Sequence, residues 1–575
     1  MESRRTEIGR VGEWLLLLLL IAALTLNAVY WGAQKEGFNI DEMFSYNQIS
    51  NPRVFRPYLV HDYKNNWHDA AIYEDFLTIT EDEAFDLRGA WNTAKMNNAH
   101  PPLFFVVFEL VTSLFFQNRF TTWSGLTTNL IFFVLHLVVF YLLTGKIFKK
   151  KFPAMAALLI YGVSLGAVNS VVFLRMYMML TLFSTLLFYL HGIYYEKLAV
   201  GHAEPRKCVP VCFGIAFTLM LGSLTQYYYL IFAFFACLFF GVTLLLRRQW
   251  KHAVQYAGFT CGAMLVYCFV CPTLKRDLLS SERGEEALQN ATGWPSRLKN
   301  LDSYLTIIDK QLFGSLAAVF LVLLALVILL LVGLRLLSRH NSSEKTEARL
   351  QHERTAFSPA AVLTLQIFLT CACTLVAVAI LSPYQADRYI MNLYPALILT
   401  ALAVPYALTA GLGGKGKSLW IASACVLLGL ELIGYAKTGV NYLYSGTEEQ
   451  LFCLESYSDR RAVLLTSKKW ADAAYLPFLV RSPAVYSTDN AGVETLSDAF
   501  DGPEEFLVYI AYNGILGNES PEEREAVLKQ IQAALPRAEP EMLFQINSEY
   551  PADVYCVHYE NNDDTPTENA GDLAK

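Results

Sequence analysis

Four short stretches of this sequence place chemically capable residues where such types stand out. The first is Asn39-Ile40-Asp41-Glu42-Met43-Phe44-Ser45-Tyr46, a carboxylate pair just after an apolar run. A carboxylate can deprotonate a hydroxyl, although an acidic pair at a helix N-terminus is also favoured by the dipole alone. The second is Asn98-Ala99-His100-Pro101-Pro102-Leu103-Phe104-Phe105, a polar-to-apolar transition whose prolines suit a first helical turn. The third is Leu174-Arg175-Met176-Tyr177, where Arg175 is the only charge in the apolar block 152–195. An arginine in such a block is costly unless it pairs or reaches the interface, and marks function by default. The fourth is Ser382-Pro383-Tyr384-Gln385-Ala386-Asp387-Arg388-Tyr389, between two long apolar runs, where a snorkelling interfacial pair is the structural alternative.

The elements that must position these residues follow from composition. The chain has 575 residues, 54% hydrophobic, 14% aromatic and only 17% charged, with a net charge of −7 and a mean hydropathy of +0.32. Ordinary soluble chains carry about 25% charge. The balance excludes a disordered chain, a nucleic-acid binder with a basic stripe and a purely soluble multidomain enzyme. A bilayer core of ~30 Å needs about 20 apolar helical residues. Runs of that kind, each with at most one charge, occupy 14–31, 101–116, 126–144, 152–195, 208–246, 253–274, 312–334, 356–386, 389–414 and 418–435. Two are double length and predict helix pairs, so ten to thirteen spans are expected.

The first run lacks a clear cleavage site and follows Arg4, Arg5 and Arg10, which predicts a retained helix with a cytoplasmic N-terminus. Basic clusters at 146–151, 247–251, 335–354 and 415–417 then mark further cytoplasmic loops. The opposite face receives the loop 38–98, the turns at Arg175 and Gln226, the loop 275–310, the turn at Asp387 and everything after 441. One count conflicts. An odd number of crossings is needed between the first loop and the lysines at 146–151, yet two apolar runs lie there, so the shorter is re-entrant or the lysines break the rule.

Two segments read as water-exposed. The acid-rich, aromatic first loop (32–99) suits a cap on the membrane surface, within a membrane module spanning 1–440. Residues 441–560 predict a small α/β domain: strands at 462–466, 484–487, 505–511, 541–546 and 553–559, helices at 468–479 and 521–534, the latter opened by Ser520-Pro521-Glu522-Glu523. The tail 561–575 is acidic and predicted to be disordered. Nine of eleven cysteines fall within or beside apolar runs, where cysteine packs as a small hydrophobe; Cys453 and Cys556 could form a disulfide.

On this orientation all four motifs, with Thr225-Gln226-Tyr227-Tyr228-Tyr229, meet one extracytoplasmic face. Carboxylates, a histidine and two arginines there suit an anionic lipid headgroup, since arginine binds phosphate through a planar fork. In order and type the motifs resemble the GT-C superfamily of membrane glycosyltransferases, in particular family 39-type enzymes such as protein O-mannosyltransferases and lipid A aminoarabinose transferases. The resemblance covers about 14–435 and is strongest at Asp41, Glu42 and His100-Pro101-Pro102-Leu103. It implies a polyprenyl-phosphate sugar donor, inversion at the anomeric carbon, Asp41 as catalytic base and Glu42 beside it for orientation or metal binding. His100 would face the donor phosphate. Some relatives carry a basic residue two positions after the acidic pair, where Phe44 stands here, so Arg175 and Arg388 become the candidates for phosphate binding. Tyr46, Tyr177, Gln226, Tyr227, Asp387 and Tyr389 complete the expected pocket. Cofactors stay open: Asp41, Glu42 and His100 could hold Mg²⁺, Mn²⁺ or Zn²⁺, but no spacing dictates it.

The expected function is glycosyl transfer to an acceptor hydroxyl of a lipid, polymer or protein, with membrane lipids as surroundings and no nucleic-acid partner. The alternative is a transporter or flippase, which would use intramembrane groups such as Glu109, Glu431, His136 or His191. A ligand sensor built on the C-terminal domain is a third reading, though it leaves most of the helices without a role.

Overall fold

The computed structural model describes residues 2–50, 64–96, 100–199, 204–323, 325–326, 358–409, 413–468, 470–500, 504–513 and 515–559. The basic cluster 335–354, the end of the run 312–334 and the tail 561–575 lie outside them. The chain divides into two compact units, one of Met1–Lys35, Phe85–Phe115 and Trp123–Tyr442, the other of Glu36–Ala84, Phe116–Thr122 and Leu443–Lys575.

The first unit is helical, as its apolar runs require. Among the described residues nine helices are long and apolar enough to cross a membrane, and two bent pairs raise the number to as many as eleven. The protein is a multi-pass membrane protein. Leu103–Phe115 has 13 residues, about 20 Å of helix, too little for a ~30 Å hydrocarbon core. Thr122–Phe148, at 27 residues, is therefore the one described helix between the first loop and Lys146–Lys151 long enough to cross. By length alone the short helix falls below a full span, as the re-entrant alternative expects.

Both double-length runs divide where polar side chains can satisfy the freed backbone. The block 152–195 forms Lys151–Val163, Leu165–Val172 and Tyr177–Ala199, one more break than the predicted pair. Between the first two the axis bends by 54° at Ser164, whose hydroxyl accepts from Ala167 N (3.1 Å). Between the last two the chain unwinds through 173–176. Asn129 Nδ2 donates to the carbonyls of Val171 (2.9 Å) and Phe173 (2.8 Å) there, so one buried amide supplies what lipid cannot. Gly125 admits this turn closely, since a Cβ would stand 2.8 Å from Leu174 Cβ. The block 208–246 divides as expected into Pro205–Ser223 and Tyr228–Leu246, and Leu224 O at its turn accepts from Leu103 N (2.9 Å). The loop 275–310 folds into four short helices, Leu274–Leu279, Glu282–Thr292, Trp294–Arg297 and Asn300–Leu312. Arg297 Nη2 and the Tyr304 hydroxyl fasten them to Ser382 (2.6 and 2.8 Å).

The second unit is a six-stranded sheet in the order β1-β3-β2-β4-β6-β5, with β1 Trp67–Asp69, β2 Arg461–Leu465, β3 Ala484–Thr488, β4 Glu504–Ala511, β5 Glu539–Ile546 and β6 Ala552–Tyr559. β2 runs parallel to β3 and β4, and the remaining pairs are antiparallel. Alternation sends Leu464, Leu507, Tyr509 and Val554 to one face, against Ile40, Met43, Tyr73 and Phe76. Val463, Leu465, Val508 and Ile510 reach the other, against Val527 and Ile531 of Pro521–Ala534. The first loop thus supplies both an edge strand and one hydrophobic cover for the C-terminal sheet, so 36–84 shares a unit with 443–575. Pro521–Ala534 opens at the predicted N-cap Ser520, which forms a reciprocal capping box with Glu523. Residues 468–479 instead hold two short turns, Ala471–Ala474 and Leu476–Leu479, with Pro477 in the second. Cys453 and Cys556 are both free thiols.

Replacing Asn129 by Leu strands two buried carbonyls, at a cost of about 1–3 kcal/mol. The thermal unfolding midpoint of the detergent-solubilised protein should fall for Asn129→Leu, while Ile131→Val, at a 43% exposed position on the same helix, should leave it unchanged.

Candidate functional site

Helix breaks in the first unit gather most of the expected site residues. Arg175 sits in the unwound turn after Leu165–Val172 and is 1% exposed. Its Nη2 lies 2.7 Å from His100 Nε2. A guanidinium can only donate, so Nε2 accepts, the imidazole is neutral and its proton resides on Nδ1. Tyr177 begins the next helix, stacked on Phe173 at 5.6 Å between ring centroids. The same Phe173 ring lies 6.0 Å from the Arg388 guanidinium carbon, so one turn touches both arginines.

Asp387 and Arg388 occupy a 3₁₀ turn, Asp387–Tyr389, between Pro359–Leu381 and Tyr394–Thr409. Both are buried. Three aromatic rings surround Arg388: Phe173, Tyr384 at 5.2 Å and Tyr389 at 5.9 Å. Its Nη2 also hydrogen-bonds the Tyr384 hydroxyl. Asp387 accepts from the Tyr442 hydroxyl, and the Tyr442 ring stacks on Phe173 at 4.4 Å. Burial raises the Asp387 carboxyl above its usual range, against the opposing pull of Tyr442 and the Arg388 charge. Tyr389 stacks on Tyr228 at 4.7 Å, which brings the turn at 224–227 to the same cluster. Gln226 there is 3% exposed, its Oε1 accepting from Tyr227 N (2.7 Å). The Tyr227 hydroxyl donates to Asp277 (2.6 Å). Burial and that carboxylate push its pKa well up, so it remains a donor.

Asp41, Glu42 and Tyr46 belong to the second unit, on the helix Ile40–Ser50. Asn39 starts this helix: its Oδ1 accepts from Asp41 N (2.9 Å), and its own N–H donates to Glu42 Oε2 (2.7 Å). This reciprocal cap explains the adjacent acids by position. Glu42 is fully buried and locks the turn, while Asp41 stands beside it, half-buried. Tyr46 donates to Thr121 O (2.7 Å) and packs edge-on against Phe38 and Phe120, a packing role. Asn39 Nδ2 in turn donates to Glu549 (2.7 Å) and to the Tyr444 hydroxyl (3.1 Å), binding the helix start to the C-terminal part of its unit.

Of Asp41, Glu42 and His100, two already engage protein groups. Glu42 Oε2 is committed to the cap and His100 Nε2 to Arg175. The one close group of three ligating types among the described residues is Glu505, Cys556 and His558, where Glu505 already binds Arg460 (2.7 Å) and His558 (2.7 Å).

Sequence reasoning placed Tyr228 at the same face but missed Phe173, Tyr442 and Asn129. The last had a signal, a lone amide in a long apolar helix. Tyr442 had none, since its partner lies 55 residues away. If Glu42 acts by capping, Glu42→Gln, which keeps the acceptor oxygen, should unfold as the wild type does. Glu42→Ala should lose about 1–3 kcal/mol through the orphaned Asn39 N–H, read as a lower unfolding midpoint.

No family model matches the sequence, and no curated protein matches it. Among solved structures the chain is similar to ArnT from Cupriavidus metallidurans bound to undecaprenyl phosphate, at 12% identity and a TM-score of 0.48 over 94% of this chain and 98% of that one. It is also similar to the oligosaccharyltransferase AglB from Archaeoglobus fulgidus, in complex with an inhibitory peptide and a dolichol-phosphate, at 11% identity and a TM-score of 0.38 over 82% of this chain and 64% of that one.

Proposed function

We propose that the chain is an inverting glycosyltransferase that moves a sugar from a polyprenyl-phosphate donor to an acceptor hydroxyl at the extracytoplasmic membrane face. The observation that carries the reading is the pair of buried arginines at two helix breaks, one held by His100 and the other walled by aromatic rings. Planar guanidinium groups, pre-oriented in a low-dielectric setting, are suited to the phosphate that leaves. The aromatic walls supply apolar surface of the kind a lipid-linked donor requires. Glu109, an acid that a transporter would use, instead accepts a hydrogen bond from Ser113 (2.8 Å). The placement of lysines at 146–151, one crossing away from Arg175, supports the extracytoplasmic assignment.

In the proposed step Asp41 takes the proton of the acceptor hydroxyl. The freed oxygen attacks the anomeric carbon on the face opposite the phosphate, by analogy with inverting glycoside chemistry. The bond from that carbon to the phosphate oxygen breaks, and the polyprenyl phosphate departs with the electron pair. Arg175 and Arg388 meet the added charge on the phosphate, while His100 holds Arg175 in place. Glu42 is a positioning residue that fixes the turn bearing Asp41. The acceptor is a lipid, a wall polymer or a protein.

Transfer from polyprenyl-phosphate sugars by the purified protein tests these roles. Asp41→Asn should abolish turnover with an unchanged unfolding midpoint, and full activity in that variant would remove Asp41 as the base. Arg175→Gln and Arg388→Gln should each weaken donor binding by about 10–100-fold, the worth of a hydrogen bond to a charged group. Unchanged donor affinity in both would remove them from the site.

A further inference from the structure

The helix Thr122–Phe148 begins beside the Arg175 turn, where Gly125 meets Leu174. Its 27 residues carry the chain about 40 Å to a second charged feature at the other end of the bundle. There an open pocket of about 370 Å³ is lined by Lys146, Lys149, Lys150, Lys151 and Glu196, with Leu142 and Tyr189 forming an apolar side. Glu196 pairs with Lys146 at 2.7 Å and with Lys149, and Lys151 pairs with Glu13. Four lysines against two glutamates leave a surplus of two positive charges, and Lys150 is exposed at the rim. Lys149 adopts a positive φ of 54°. Glycine would take that conformation without penalty, yet lysine stands there, turning the chain so that its neighbours line the same hollow. The Lys146 ammonium also lies 5.8 Å from the Tyr189 ring centroid, at the border between the charged and apolar walls.

We propose that this pocket binds the phosphate headgroup of an anionic phospholipid in the leaflet at that end of the bundle. Orientation of the chain alone requires only that lysines be present in the loop; it does not require them to converge on one hollow. Ammonium groups recognise the phosphate oxyanion as point charges. The apolar side beneath them suits the glycerol and acyl chains of a lipid better than a free phosphate ion. Glu196 is the internal counter-ion, holding two of the lysines in place and limiting the net attraction. The assignment is independent of the transferase reading, because none of these residues belongs to the proposed donor site.

Native mass spectrometry of the full-length, detergent-solubilised protein tests it with dioleoyl phosphatidylglycerol, dioleoyl phosphatidylcholine and inorganic phosphate as probes. The wild type should retain phosphatidylglycerol more strongly than phosphatidylcholine. Lys150→Gln should weaken phosphatidylglycerol about fivefold, the usual effect of one basic residue near an anionic surface, and Lys146→Gln with Lys150→Gln should bring it close to the phosphatidylcholine level. Glu196→Gln should act in the opposite direction and tighten phosphatidylglycerol, a gain that damage to the fold would not produce. Equal retention of the two lipids, unchanged retention in both lysine variants, or weaker retention in Glu196→Gln would overturn the proposal. Displacement of phosphatidylglycerol by an equal concentration of inorganic phosphate would assign the pocket to the free ion and overturn the lipid.

Discussion

The contact between Arg175 and His100 is the constraint on which the helical unit depends. A guanidinium that is 1% exposed in a membrane protein has to be held by polar groups, because its desolvation is costly. An intact helix through 165–199 would pair its backbone amides and carbonyls with one another along its axis and leave no such place. The chain unwinds at 173–176, and Asn129 from a neighbouring helix takes up the freed carbonyls. Gly125 provides the clearance for Leu174. The aromatic rings of Phe173, Tyr384 and Tyr389 then line the second arginine, and Tyr442 fixes Asp387 beside it. Polar exceptions within nearly uncharged helices thus explain one another in pairs, across segments far apart in the chain.

Much of this was legible because hydrophobicity in a membrane protein is read over whole spans. The apolar runs located the helices, and the lone charge at Arg175 marked the turn that proved to be unwound. Five strands of the C-terminal sheet were found within one or two residues of their ends, since β-branched and aromatic alternation between turn residues is a local signal. The bend at Ser164 was missed because serine in an apolar run reads as a tolerated polar residue, and only the neighbouring helices decide whether it caps. Helix 468–479 was overestimated where Pro477 breaks it. The short strand Trp67–Asp69 carried no signal at all: three residues form a strand only because Ala484–Tyr486 offers them an edge.

The acidic pair illustrates how structure separates roles that sequence merges. Asp41 and Glu42 are adjacent and chemically alike, so their types alone assign either to catalysis. The cap geometry distinguishes them, since Glu42 Oε2 returns to Asn39 N and is buried, whereas Asp41 is reached by the same asparagine through its backbone only. Glu42 stabilises the helix start, and the half-buried Asp41 is the better candidate for proton transfer. The first loop was legible as acidic and aromatic, but its hydrophobic residues Ile40, Met43, Tyr73 and Phe76 belong to the core of the C-terminal sheet. Long-range packing of that kind leaves no local trace in sequence.

The central claim is that buried arginines and a first-loop carboxylate serve transfer of a sugar from a polyprenyl-phosphate carrier. Mass spectrometry of lipid-linked sugars and surface glycans in cells carrying either the native chain or Asp41→Asn tests it most directly. Loss of Asp41 should accumulate one polyprenyl-phosphate sugar and deplete the glycan built from it. Identical lipid-linked pools and glycans in the two strains, with the variant present in the membrane at native levels, would contradict it.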